Sequence, residues 1–123
     1  MPLNVLIVED STVMRSMIKR ILNIDDFKFD HIFESENGDE AIRIIENHSI
    51  DLVLIDINMP VMRGDVLIDK IRENPDTAGM AIIVISSESS FHNINKLLNK
   101  GVRFVHKPFT PEELHNVLND LLG

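Results

Sequence analysis

Four short apolar runs constrain the fold more than any other feature: Val5-Leu6-Ile7-Val8, Leu52-Val53-Leu54-Ile55, Ala81-Ile82-Ile83-Val84-Ile85 and the briefer Val102-Arg103-Phe104-Val105. They are rich in β-branched residues and scarcely alternate with polar ones, as expected of strands covered on both faces in a parallel sheet. Phe29 to Phe33 is a weaker fifth candidate, whose acidic, histidine and aromatic residues suit an edge. Between the runs the apolar period becomes helical. Val13, Met14, Met17, Ile18, Ile21 and Leu22 form a first stripe, with Ser11 or Asp10 able to cap it. Ala41, Ile42 and Ile45 follow the turn residues Asn37-Gly38-Asp39, and Leu67, Ile68 and Ile71 follow Gly64 and stop before Pro75. Ile94, Leu97 and Leu98 end at Gly101, placed to cap a helix C-terminus. Thr110-Pro111-Glu112-Glu113 is a helix start, leading into Leu114, Val117, Leu118, Leu121 and Leu122. The expected fold is α/β: a (βα)5, doubly wound, five-stranded parallel sheet with helices on both faces, one domain over residues 1–123.

Composition narrows the function. The 20 Asp and Glu against 12 Lys and Arg give a net charge of -8. That argues against direct binding of nucleic acid, which needs Lys and Arg to neutralise phosphates, and against adsorption to anionic membranes. The absence of cysteine excludes disulfides, thiolate zinc sites and cysteine nucleophiles. The N-terminus lacks the basic and long apolar segments of a signal peptide, and the longest apolar run, Met80 to Ile85, is too short to span a bilayer. A soluble, cytoplasmic protein is expected. The five histidines show no metal-ligand spacing, so no zinc site is expected.

In doubly wound sheets ligands bind beyond the carboxyl ends of the strands. Those positions carry Glu9-Asp10, Asp56, Ser86-Ser87 and, after the last strand, His106-Lys107-Pro108-Phe109. Each alone has an ordinary explanation as a cap, a loop anchor or a solvated charge. Together they form one chemistry. Three carboxylates repel one another unless a cation intervenes. An all-oxygen set with room for water and phosphate favours Mg²⁺. Lys107 and Ser86 are suited to phosphoryl oxygens, and Asp56 to nucleophilic attack on phosphorus.

Leu6-Ile7-Val8-Glu9-Asp10-Ser11, Asp56-Ile57-Asn58-Met59-Pro60-Val61-Met62-Arg63-Gly64, Ser86-Ser87 and Lys107-Pro108-Phe109 resemble, over essentially the whole chain, the receiver domain of two-component response regulators. The resemblance implies a flavodoxin-like (CheY-like) sheet order. It implies that Asp56 takes a phosphoryl group from a histidine kinase, and that Asp10, Glu9, Asp56 and the Asn58 carbonyl hold Mg²⁺. Lys107 would bridge to the phosphoryl group and precede a cis proline bond. Ser86 would be the switch hydroxyl and Phe104 the switch aromatic, biasing a population shift on the face of the fourth helix, fifth strand and fifth helix, where a downstream protein binds. Such a chain is not a turnover enzyme; it catalyses only its own phosphorylation and dephosphorylation.

Three residues depart from the commoner pattern: Glu9 for Asp, Ser86 for Thr and Phe104 for Tyr. Met14-Arg15, Asn58 and Glu88 resemble the stand-alone chemotaxis-type regulators, which implies a motility role. The alternatives are a receiver cut from a longer regulator with a DNA-binding or enzymatic output domain, and a haloacid-dehalogenase-type phosphohydrolase. The latter expects a second Asp where Asn58 stands, and a cap domain. A flavodoxin-type nucleotide or flavin binder would need a Gly-rich phosphate loop that the first strand-helix turn lacks.

Overall fold

Strand and helix alternate five times in the computed structural model, which describes residues 3–24, 29–59 and 61–122. The order is β1 (Leu3–Val8), α1 (Thr12–Ile24), β2 (Phe29–Ser35), α2 (Gly38–Asn47), β3 (Leu52–Asp56), α3 (Gly64–Glu73), β4 (Ala81–Ser86), α4 (Phe91–Leu98), β5 (Arg103–His106) and α5 (Pro111–Leu122). The strands form one parallel sheet in the order β2-β1-β3-β4-β5, so the weak run Phe29 to Phe33 does occupy an edge. The chain winds one way from β1 to β2 and the other way from β3 onward. The reversal opens a crevice between the carboxyl ends of β1 and β3.

Strand period sorts the core into two layers. Leu6, Val8, Val53, Ile55, Ile82 and Val84 pack with Ala41, Leu67, Ile68, Ile71 and Leu97 on one face. Val5, Ile7, Leu52, Leu54, Ile83, Ile85 and Val105 pack with Ile18, Ile21, Leu22, Leu114 and Leu118 on the other. Both faces of the central strands are therefore buried, which is why their sequences do not alternate.

Helix ends follow their sequence signals. The Ser11 hydroxyl accepts from Met14 N–H at 3.2 Å, Asn37 Oδ1 from Glu40 N–H at 3.0 Å, and Thr110 Oγ1 from Glu113 N–H at 3.1 Å. Ser11 thus caps α1, leaving Asp10 to the crevice. Gly101 adopts φ +74° as α4 ends, a conformation glycine takes without steric cost.

Two expected stripes need correction. Val13 is 81% and Met17 37% exposed, so neither joins the core. At about 100° per residue, Met17 lies about 100° and Val13 about 140° around the helix from buried Ile18, whereas Arg15 lies only about 60° away. The buried arc of α1 is turned toward Arg15. In α4, Leu98 is 43% exposed for the same reason, being one residue beyond buried Leu97. No helix among the described residues is long and apolar enough to cross a membrane.

Candidate functional site

Asp56 ends β3 beside the crevice, and Glu9 and Asp10 leave β1 on its other side. One ligand oxygen from each of these three carboxylates lies within 4.8 Å of the others; Glu9 and Asp56 are buried and Asp10 is exposed. Lys107, just past β5, reaches in with its Nζ 3.3 Å from Glu9 Oε1 and 3.4 Å from Asp56 Oδ1. It enters from a loop held to the sheet by a Lys107 N–H bond to the Ser86 carbonyl at 2.8 Å. The Lys107-Pro108 peptide is cis, as the resemblance implies.

A single ammonium among three carboxyls leaves the cluster short of positive charge. Burial above all, then hydrogen bonding to the carboxyls of Asp10 and Asp56 and the charge of Asp56, push the Glu9 carboxyl up to about 7; Lys107 works in the opposite direction. The close spacing of the three sets of oxygens, two of them buried, and the resistance of Glu9 to carrying its charge unaided fit a small divalent cation, so Glu9, Asp10 and Asp56 form a cluster compatible with Mg²⁺.

The loop after Asp56 is shaped by one close approach. A Cβ on Gly64 would stand 2.5 Å from the Asp56 carbonyl oxygen and 2.8 Å from Ile57 Cα, so only glycine lets α3 start so close to the end of β3. Gly64 N–H donates to the Ile57 carbonyl at 3.0 Å, closing the loop, and Asn58 N–H donates to Asp56 Oδ1 at 3.2 Å. Met59 is buried in the core and Met62 packs against Gly38, so both motif methionines are anchors. Pro60 lies outside the described residues.

Glu9, Asp10, Asp56, Asn58 and Lys107 thus meet. Ser86 is fully buried at the end of β4, and its Oγ accepts from Glu88 N–H at 3.0 Å. The Glu88 carboxylate accepts in turn from Ser90 N–H at 2.8 Å and Asn93 Nδ2 at 3.2 Å; the first of these bonds is the main reason its pKa lies below the ordinary value. Phe104 is half-buried against the core layer beneath α2, α3 and α4, its ring 6.3 Å from that of His106. Arg15 is the residue whose role at the site the motifs do not reveal. Its buried guanidinium donates to the Glu9 carbonyl at 2.6 Å. The available signal is its angular position within the buried arc of α1.

Known proteins resemble this chain over most of its length. The response regulator receiver domain profile matches residues 5–119. A chemotaxis protein CheY homolog of Campylobacter jejuni is 34% identical over 98% of this chain and 93% of its own. Chemotaxis protein CheY1 of Helicobacter pylori is 34% identical over 98% of both chains. The transcriptional regulatory protein MalR of Bacillus subtilis is 38% identical over 96% of this chain but 49% of its own. Among solved structures, Vibrio cholerae CheY4 superposes with a TM-score of 0.87 at 26% identity, covering 99% of this chain and 100% of that one.

Proposed function

The chain belongs to the response regulator receiver domain family, a phosphoacceptor family of two-component signalling, and from that premise we propose that Asp56 is its phosphoacceptor. The observation that carries the assignment is the shared contact of Lys107 with Glu9 and Asp56 at the mouth of the β1–β3 crevice. In the proposed reaction an Asp56 carboxylate oxygen attacks the phosphorus of a phosphohistidine. The P–N bond breaks, its electrons stay with the imidazole, which takes up a proton, and an acyl phosphate forms on Asp56. Asn58 N–H, at 3.2 Å from Asp56 Oδ1, orients the carboxylate, and the Lys107 ammonium is positioned to follow the new charge onto a phosphoryl oxygen.

Glu9, Asp10, Asp56 and the Asn58 carbonyl would hold Mg²⁺. When bound, the ion neutralises the carboxylates and the equatorial oxygens of the transferring group. Ser86 is the proposed switch hydroxyl: its Oγ accepts from Glu88 N–H, and its O–H would donate to a phosphoryl oxygen. Phe104 is the proposed aromatic element of the same switch. The chain acts on itself alone, in transfer to Asp56 and loss of that group, and has no turnover of an outside substrate.

Receivers work with histidine kinases and downstream proteins. The downstream face we propose is α4, β5 and α5, supported by Phe91, 81% exposed at the start of α4, and by partly exposed Leu98. The chemotaxis reading, set in the cytoplasm, is supported by the Campylobacter and Helicobacter relatives, matched over almost all of their length. MalR, matched over about half of its own, supports a second reading, the receiver part of a transcriptional regulator.

The test is incubation with Mg²⁺ and acetyl phosphate, read by intact mass. One phosphoryl group is expected on the native chain and none on Asp56→Ala. An adduct that survives in Asp56→Ala overturns the assignment, and repeated turnover of small phosphate esters would favour the hydrolase.

A further inference from the structure

Buried arginines are rare unless paired, and the side chain of Arg15 is only 11% exposed. Its guanidinium has two sets of partners. One side faces acids at the end of β2, with Nε 3.2 Å from Glu34 Oε1 and Nη2 3.8 Å from Glu36 Oε1; Nη2 is also 3.5 Å from Thr12 Oγ1. The other side turns inward, where Nη1 donates to the Glu9 carbonyl at 2.6 Å. Lys19 Nζ holds Glu34 from the far side at 3.0 Å.

The Glu9 carbonyl belongs to the peptide that joins Glu9 to Asp10. On the same residue, Glu9 N–H donates to the Ser35 carbonyl at 3.0 Å. β1 has ended at Val8 and α1 begins only at Thr12, so no regular ladder fixes the orientation of the Glu9–Asp10 peptide. Asp10, moreover, is exposed. We propose that Arg15 is a positioning residue for the cation site: it fixes the Glu9–Asp10 peptide so that both carboxylates face Asp56. This rests on the reading of Glu9, Asp10 and Asp56 as Mg²⁺ ligands. Mg²⁺ tolerates little departure from octahedral geometry, so a loosened ligand pair lowers affinity even when every carboxylate remains. The positive charge of Arg15 is engaged by Glu34 and Glu36, which leaves the hydrogen bond to the carbonyl as its route to the site.

The experiment measures Mn²⁺ affinity of the full chain by electron paramagnetic resonance, for the native protein, Arg15→Gln, Arg15→Lys and Glu34→Gln. It is paired with acetyl phosphate labelling across a Mg²⁺ titration. Arg15→Gln is expected to weaken Mn²⁺ binding about tenfold, the effect typical of groups that orient metal ligands. Arg15→Lys, still able to donate to the carbonyl, recovers part of the loss. Labelling slows at low Mg²⁺ and returns to the native rate at high Mg²⁺, a split that a general loss of structure does not produce. Native-like Mn²⁺ affinity in folded Arg15→Gln overturns the proposal, as does a labelling defect that no Mg²⁺ concentration restores. If Arg15→Gln fails to fold, Glu34→Gln decides: a loss of about twofold, the size of one part-exposed ion pair, supports the role, and unchanged affinity overturns it. Absence of Mn²⁺ binding by the native chain would instead remove the cation-site reading itself, and this proposal with it.

Discussion

The two ends of the sheet treat polar groups in opposite ways. At the amino end, charges and carbonyls are matched. Asn4 N–H donates to Asp51 Oδ2 at 2.8 Å and Asn4 Nδ2 to the Ser49 carbonyl at 2.7 Å, although Asn4 Oδ1 is left buried without a partner. Arg72 donates to the carbonyls of Lys100, Ala78, Met80 and Gly101, tying the loops before β4 and β5 together. At the carboxyl end, three carboxyls cluster beside one lysine that contacts two of them, Glu9 and Asp56, and Glu9 resists ionisation. One end is built for stability, and the other holds unbalanced negative charge compatible with a divalent cation.

Exchanging a residue at each end separates the two roles most sharply. Asp56→Asn is expected to abolish acetyl phosphate labelling while leaving the metal-free protein at least as resistant to urea, because it removes one of the repelling carboxylates. Arg72→Ala is expected to do the reverse. It loses about 2–3 kcal/mol in urea denaturation, having stripped several carbonyls of a charged donor, and keeps its labelling rate. A comparable stability loss in both variants would erase the contrast.

The next effect is one of pH. An ordinary glutamate titrates near 4.5 in the unfolded chain, whereas folded Glu9 does so at about 7. Between these values the unfolded state binds fewer protons, so the stability this group contributes is full below 4.5 and is lost as pH rises through 7. Metal-free protein should therefore lose stability over that window, and Glu9→Gln should flatten the loss in thermal melts. Stabilisation by Mg²⁺ should grow over the same window, since the ion competes with a proton for Glu9. A Mg²⁺ effect as large at pH 5 as at pH 8 would contradict this account of the cluster.

The smallest expected effect is backbone strain at the carboxyl end. Val61, exposed in the loop after Asp56, has φ +71°, an unfavourable region for a β-branched residue. Val61→Gly relieves that strain at some entropic cost, for an expected net gain of about 0.5–1 kcal/mol in a thermal melt. A loss of stability would show that the valine side chain contributes more than its conformation costs.

The strands and the two layers were largely legible in the residues, because β-branched runs buried on both faces leave a strong pattern. The acids at the ends of β1 and β3 were legible too, since a strand end is a fixed place in this topology and Asp56, Glu9 and Asp10 stand there in sequence. Side-chain commitments were not. Nothing in the spacing shows that Ser86 Oγ already accepts from Glu88 N–H, or that Lys107 divides itself between two carboxylates. The stripe of α1 misleads for a related reason: hydrophobicity places Val13 and Met17 inside, yet the arc that packs contains Arg15, whose charge is met by Glu34 of β2 and Glu36 just beyond it. Long-range pairing of this kind leaves no local periodicity to read.

The most direct test of the central claim is to locate the phosphoryl group. Borohydride reduces an acyl phosphate on aspartate to homoserine, which peptide mapping then places in the chain. After labelling with Mg²⁺ and acetyl phosphate, homoserine is expected at position 56 alone, and none should form when Mg²⁺ is chelated. Homoserine at position 10, or undiminished labelling of position 56 without a divalent cation, would contradict the account.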